Sequence, residues 1–284
     1  MPGLAEPIEV QSAAAHIDGQ SVKVDRIRAQ AGVIAFQGEY QYQPRLTRPH
    51  RLRIWIPDAD AAELEALWMP TLRHGRGLLA RALSLGRTPI PDWLSDRHVD
   101  ATVQIGMLRL ADAEARGIQT HLLWDATRAE FDNLHARIDG GRVTGALSVN
   151  LRGSLPVYRL EAQGKGIQWK SGTVDAETVL ESSGTGVELL AHLHSAGTFA
   201  ASGLEMDALP DLESVSGFYD LVWAQARPLL RFSELQLVSG TDTYTGQGAT
   251  QPDGQLIIQL TSGAKEMHMS GTLARLRLDE PVAR

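Results

Sequence analysis

Nine histidines and 34 acidic side chains are the groups through which this chain could hold a metal or move a proton. Only His192 and His194 are close neighbours, two positions apart. On a helix that spacing turns them about 200° from each other, so they would share a metal only on a strand. Asp58-Ala59-Asp60 resembles the start of a calcium loop. It lacks the later glycine and the distal glutamate such a loop needs, and helix capping accounts for the aspartates better. Asp125 with Glu130 and Asp175 with Glu177 would suit a glycosidase only if they faced each other across a cleft; solvated strand faces are the simpler reading. The chain has no cysteine, which excludes zinc fingers, iron–sulfur sites, disulfide scaffolds and thiol catalysis. It also has no G-x-S-x-G, H-E-x-x-H, Walker A or strand-borne G-x-G-x-x-G motif. The expectation is a protein that is not an enzyme, with no catalytic residue, no metal and no cofactor.

The arginines carry the other chemical signal. Arg45, Arg48, His50, Arg51 and Arg53 are followed by Arg73, His74, Arg76, Arg81 and Arg87. Guanidinium forks suit phosphate, so Arg45, Arg48, Arg51 and Arg53 are candidate contacts for lipid headgroups. A solubilising charged sheet edge would use the same residues. The net charge of −7 gives no general attraction to nucleic acid.

Period-two alternation dominates the elements that would position these groups. It runs through Val99, Ala101, Val103, Ile105 and Met107, and through Val143, Gly145, Leu147, Val149 and Leu151. Ile34–Tyr42, Leu52–Ile56 and Val174–Leu180 alternate in the same way, and Asp18-Gly19, Asp139-Gly140 and Asp253-Gly254 mark hairpin turns. Leu64, Leu67, Trp68 and Leu72 fall instead at helical spacing, with Asp58 or Asp60 as N-cap, and a turn or two more is expected over Leu78–Leu83. A second short amphipathic helix is expected over 184–194. The predicted organisation is one elongated β-rich domain, 1–284, with a β repeat over 1–57, a helical insertion over 58–97 and further β repeats over 98–284. Its fold class is mainly β: an elongated, curved antiparallel sheet, open as a groove or sandwich, built of repeated hairpins with two short helices.

A sequence repeat supports the hairpins. Val24, Ile27, Ala29, Gly32, Phe36 and Gly38 match Phe131, Leu134, Ala136, Gly140, Val143 and Gly145, and again Phe232, Leu235, Leu237, Gly240, Tyr244 and Gly246. First residue and last glycine are fourteen apart in each copy. Each copy reads as strand, tight glycine turn and returning strand, with the last glycine at a kink or close approach.

Several of these segments carry a family likeness. Gly38–Tyr42, Arg48–Arg53 and Trp68–Leu72, then Ile105–Leu110, Phe131–Leu134 and Gly140–Gly145, resemble the C-terminal region of AsmA-like proteins. Ser183–Gly186, Leu189-Leu190, Gly197–Phe199 and Tyr244–Gly248 extend the likeness, which covers about Val22 to Leu273. AsmA-like proteins are related to TamB-like proteins and to bridge-like lipid-transfer proteins of the Gram-negative envelope. The resemblance implies a periplasmic, inner-membrane-associated protein that conducts phospholipid acyl chains along an apolar β-groove for outer-membrane lipid homeostasis. No run approaches the roughly 18 apolar residues of a membrane span. The expectation is therefore an excised C-terminal portion or a short member, its anchor and signal lying outside this chain.

In such a groove the in-phase residues Val99, Val103, Ile105, Met107, Val143, Leu147, Val149 and Leu151 would meet acyl chains. Phospholipid is the expected partner and envelope proteins a second. The same residues would equally build the closed core of an ordinary sandwich. Two other functions fit the pattern: a scaffold that assists outer-membrane protein assembly through exposed strand edges, and a polysaccharide-acting β hydrolase.

Overall fold

The computed structural model describes residues 6–68, 97–110, 113–153, 155–184, 187–205, 209, 212–224, 227–272 and 275–279. The fold is mainly β. The strands are β1 (Ile8–Asp18), β2 (Ser21–Ala31), β3 (Ile34–Tyr42), β4 (His50–Asp60), β5 (His98–Leu110), β6 (Ala113–Asp125), β7 (Arg128–Ile138), β8 (Gly141–Asn150) and β9 (Val157–Trp169). They continue as β10 (Gly172–Ser183), β11 (His194–Ser202), β12 (Leu212–Ala224), β13 (Arg227–Ser239), β14 (Asp242–Thr250), β15 (Leu256–Ser262), β16 (Lys265–Thr272) and β17 (Arg275–Leu278). The seventeen strands belong to one sheet. Among the described residues two short helices accompany it, α1 (Ala61–Trp68) and α2 (Val187–Ala191).

The sheet is mixed where the alternation alone suggested an antiparallel one. β4 and β5 run parallel, Leu52 opposite Ala101 and Ile56 opposite Ile105. Antiparallel neighbours can be joined by a tight turn, whereas a parallel pair needs a crossover of a dozen or more residues. The segment between Asp60 and His98 supplies that length, which explains why helical spacing interrupts the alternation there. α1 opens where Asp60 Oδ1 accepts the Ala62 N–H at 2.8 Å, so Asp60 is the cap. Asp58 is instead part of β4 and accepts from Arg109 at 2.9 Å. Expectations for 69–96, including the turn at Leu78–Leu83 and Arg73, His74, Arg76, Arg81 and Arg87, lie outside the described residues.

The second helix is shorter than its sequence pattern. It ends at Ala191, the Leu193 N–H bonds the Leu190 carbonyl, and His194 already pairs with Val222 and Glu181. Ladder hydrogen bonds on both sides of β11 outcompete another helical turn at these residues.

The repeat is a repeated hairpin: β2–β3, β7–β8 and β13–β14. In each copy the residue two after the first apolar position lies in the left-handed region: Arg26 at φ 53°, Asn133 at 53° and Glu234 at 50°. Val24 faces Tyr40 and Ile27 faces Gly38, so two residues of β2, Asp25 and Arg26, oppose the single Glu39 of β3. Phe232 and Leu235 repeat this count against Gly248 and Gly246. This β-bulge sets two consecutive polar residues, Asp25-Arg26 or Ser233-Glu234, between apolar ones without disturbing the buried face. The last glycine lets the next strand approach. A Cβ on Gly38 would run into the Arg53 carbonyl, and one on Gly246 into that of Gln259.

The chain, read from sequence as one domain, divides into two compact units: Met1–Asp139 with Val143–Leu160 and Ser183–Gly186, and Gly140–Arg142 with Glu161–Ser182 and Val187–Arg284. In unit 2 twelve buried residues form one core, among them Phe232, Leu235, Leu237, Ile258, Leu260 and Met269. Among its described residues unit 1 has two small clusters. Ala31, Ile34 and Leu67 gather Ile8, Phe36, Ile56 and Leu64, while Ala101, Leu122 and Ala129 gather Leu52, Val99, Trp124, Phe131 and Val149.

Candidate functional site

Strand register in unit 1 sorts the side chains onto two faces. One carries Phe36, Ile54, Val103 and Leu122 with their cross-strand neighbours and is apolar. The other carries rows such as Arg28–Gln37–Trp55–Gln104 and Glu39–Arg53–Thr102.

The structure places Val99, Val103 and Ile105 along β5 on the apolar face, while Met107, in the same phase, lies between Asp58 of β4 and Arg116 of β6; all four are half-buried. Val143, Leu147 and Val149 follow the same phase along β8 and are also half-buried; Leu151, just past its end, is buried. Val99 and Val149 meet in the cluster around Ala101, Leu122 and Ala129. Of the eight residues proposed for a groove, seven are therefore only partly covered, among the described residues.

The four arginines proposed for headgroups are differently engaged. Arg48 clamps Asp125, its Nε 3.0 and 3.1 Å from the two carboxylate oxygens, with an Nη2 contact as well. That guanidinium holds the Asp125 carboxyl below the usual carboxylate range, and His98 at 3.3 Å adds to the effect. Arg51 lies 4.0 Å from Asp100, and Arg53 lies 3.8 Å from Glu39. Arg45 is exposed in the turn before β4. Three of the four thus face carboxylates in the fold, Arg48 within hydrogen-bond distance and Arg51 and Arg53 at 3.8–4.0 Å.

The proposed acid pairs also have structural partners. Asp125 is held by Arg48, and Glu130 lies 2.5 Å from Arg128. Asp175 accepts the Gly166 N–H at 2.7 Å, and Glu177 accepts from Gln163 at 2.6 Å. His192 follows α2 while His194 begins β11, 3.3 Å from Asp220. Among the described residues, no three His, Asp or Glu side chains gather as metal ligands. Tyr40 Oη and His50 Nδ1 lie 2.9 Å apart beside Tyr42. Burial, with Arg97 and His98 nearby, lowers the His50 pKa, and burial raises that of Tyr40.

A cleft of about 920 Å³ lies in unit 1 on the polar face, lined from β1 to β5. Arg26, Arg28, Glu39, Arg53, Trp55 and Gln104 contribute to it. Of the predicted site residues only Arg53 is among them. The signal in the sequence was the spacing of three between Val24 and Ile27. It breaks period two, marks a bulge, and puts Arg26 beside the alternating Arg28.

Compared with protein-family models, curated proteins and solved structures, the chain matches none. No helix among the described residues is long and apolar enough to cross a membrane.

Proposed function

We propose that this chain is a non-enzymatic cell-envelope protein of the AsmA-like kind, whose unit 1 holds phospholipid acyl chains on its apolar sheet face. One observation carries the reading. Val99, Val103, Ile105, Met107, Val143, Leu147 and Val149 share one phase and stay half-exposed, among the described residues. Unit 2 instead fills its core, with Leu260 and Met269 at 1% exposure. A sheet face of this kind needs a cover, and acyl chains supply one at about 0.8 kcal/mol per buried methylene. No precisely placed polar group is required for such binding, in keeping with carboxylates that already have partners. The periplasm and outer-membrane lipid homeostasis follow from the AsmA-like resemblance.

Native mass spectrometry with lipid extraction tests the proposal, on protein expressed in a Gram-negative envelope and purified gently. The expected result is a stoichiometric phospholipid adduct that Ile105→Asp or Leu147→Asp abolishes while far-UV circular dichroism keeps its β signature. An adduct-free mass, from stable protein that also takes up no fluorescent phospholipid, would overturn it. So would an adduct that both variants retain.

A further inference from the structure

The three repeated hairpins share a backbone, but only the first is cationic. Its bulge residue and the next outward position are Arg26 and Arg28, where the later copies have Asn133 with His135 and Glu234 with Gln236. The bulge explains how two guanidiniums come to one place, but the fold does not require them there, since the other copies do without. Both line the polar cleft of unit 1, joined by Arg53 from β4. Glu39, 3.8 Å from Arg53, is the one carboxylate among the described residues of the lining. Among the described residues neither Arg26 nor Arg28 forms an ion pair. Three cations against one anion leave a local charge of +2 in a chain whose net charge is −7. Trp55, 41% exposed, forms part of the same lining, with Gln37 and Gln104 as its register partners on either side.

We propose that this cleft binds a phosphorylated saccharide. A phosphate monoester carries about −1.5 to −2 at neutral pH, which matches the uncompensated charge where a single carboxylate would leave half of it. Guanidinium forks bond phosphate oxygens in pairs. The exposed indole offers an apolar plate for the C–H face of a sugar ring, and the two flanking amides can each donate to and accept from its hydroxyls. The cleft lies on the opposite sheet face from the acyl-chain candidates and uses different residues, so the two proposals stand or fall separately.

Isothermal titration of the full chain with glucose 6-phosphate, inorganic phosphate and glucose tests it. Saturable binding of glucose 6-phosphate is expected, with inorganic phosphate weaker by about tenfold and glucose weaker still. Arg28→Gln should lower the affinity about tenfold or more, the weight of a charge-assisted hydrogen bond. Arg26→Gly is the decisive variant. Glycine relieves the left-handed backbone at φ 53°, so this change removes the guanidinium while the thermal midpoint stays at or above that of wild type. Lost binding in a protein of undiminished stability supports the site. Trp55→Ala should make glucose 6-phosphate bind no better than inorganic phosphate. No saturable binding of glucose 6-phosphate, or unchanged affinity in Arg26→Gly and Arg28→Gln, overturns the proposal. Equal affinity of the wild type for inorganic phosphate overturns the saccharide assignment.

Discussion

Unit 1 and unit 2 use the same hairpin, with the same left-handed bulge and a closing glycine at the same place, yet finish it differently. In unit 2 the second strand of the hairpin alternates Tyr244, Gly246 and Gly248, and its cross-strand neighbours Leu235, Leu237, Ile258 and Leu260 join Tyr244 in one buried core. In unit 1 the corresponding strand presents Phe36, Gly38, Tyr40 and Tyr42. The apolar residues beyond it, such as Val103 and Ile105, remain partly open among the described residues. Similar backbone geometry therefore accommodates a filled core and an incompletely covered apolar face. What differs is side-chain volume and what lies over it, and those set whether a sheet face is structure alone or is available to a ligand.

The largest effect expected from this contrast is on core truncation. Leu260→Ala in unit 2 should cost about 4 kcal/mol, because a side chain 1% exposed leaves a cavity its neighbours cannot close. Ile105→Ala, half-buried in unit 1, should cost about 1 kcal/mol in lipid-free protein, since much of the removed surface was already wet. Native-state hydrogen exchange, read separately on β5 and β15, measures both. Equal costs would mean that unit 1 too is a filled core, and the contrast would be broken.

A smaller effect tests the shared part of the hairpin. Glu234→Gly should raise the stability of unit 2 by about 0.5 kcal/mol, the relief of a left-handed backbone less the added freedom of the unfolded chain. Arg26→Gly should do the same in unit 1 if the bulges are one device. Denaturant midpoints at unchanged slope would show it. A loss of stability in either variant would separate the two bulges.

How far the sequence reveals this depends on which residues are asked. Val99 to Met107 alternate strictly, and β5 contains them all: Ala101, Val103 and Ile105 meet Leu52, Ile54 and Ile56 on one face, while Thr102 and Gln104 meet Arg53 and Trp55 on the other. Asp60 could be read as a cap because few residues do that work as well. The parallel pairing of β4 with β5 is a property of the crossover and leaves no mark in either strand's own pattern. The left-handed residues were half visible. A spacing of three inside a period of two implies a bulge, although nothing in the types Arg26, Asn133 and Glu234 announces positive φ. The polar cleft escaped because its residues read, one by one, as the solvated side of strands. Arg28, Gln37, Trp55 and Gln104 converge only through register, which pairing fixes and composition does not. The pairing of Arg48 is hidden for a related reason: its partner Asp125 is 77 positions away.

The smallest expected effects come from the ion pairs at the edges of the two units. Asp125 sits below the ordinary carboxylate pKa because Arg48 hydrogen-bonds it, with His98 adding to this. A carboxyl lowered in the folded state stabilises the fold above its unfolded pKa of about 3.9, and that contribution is lost as pH falls through the lowered value. With side chains 32% and 42% exposed, solvent screens the pair, so Asp125→Asn should cost less than about 1 kcal/mol at neutral pH. The difference from wild type should shrink to nothing in acid, below both values. Asp242 in unit 2 is lowered in the same direction by Lys265, whose own side chain is 64% exposed. Its substitution by asparagine should move the unfolding midpoint less than Asp125→Asn does. The remaining shift should fade in about 1 M salt, where the screening length drops to roughly 3 Å. Midpoints of both variants across pH and salt would check the order. An Asp242→Asn effect that exceeds that of Asp125→Asn, or resists salt, would show that the unit 2 pair is shielded from solvent in solution.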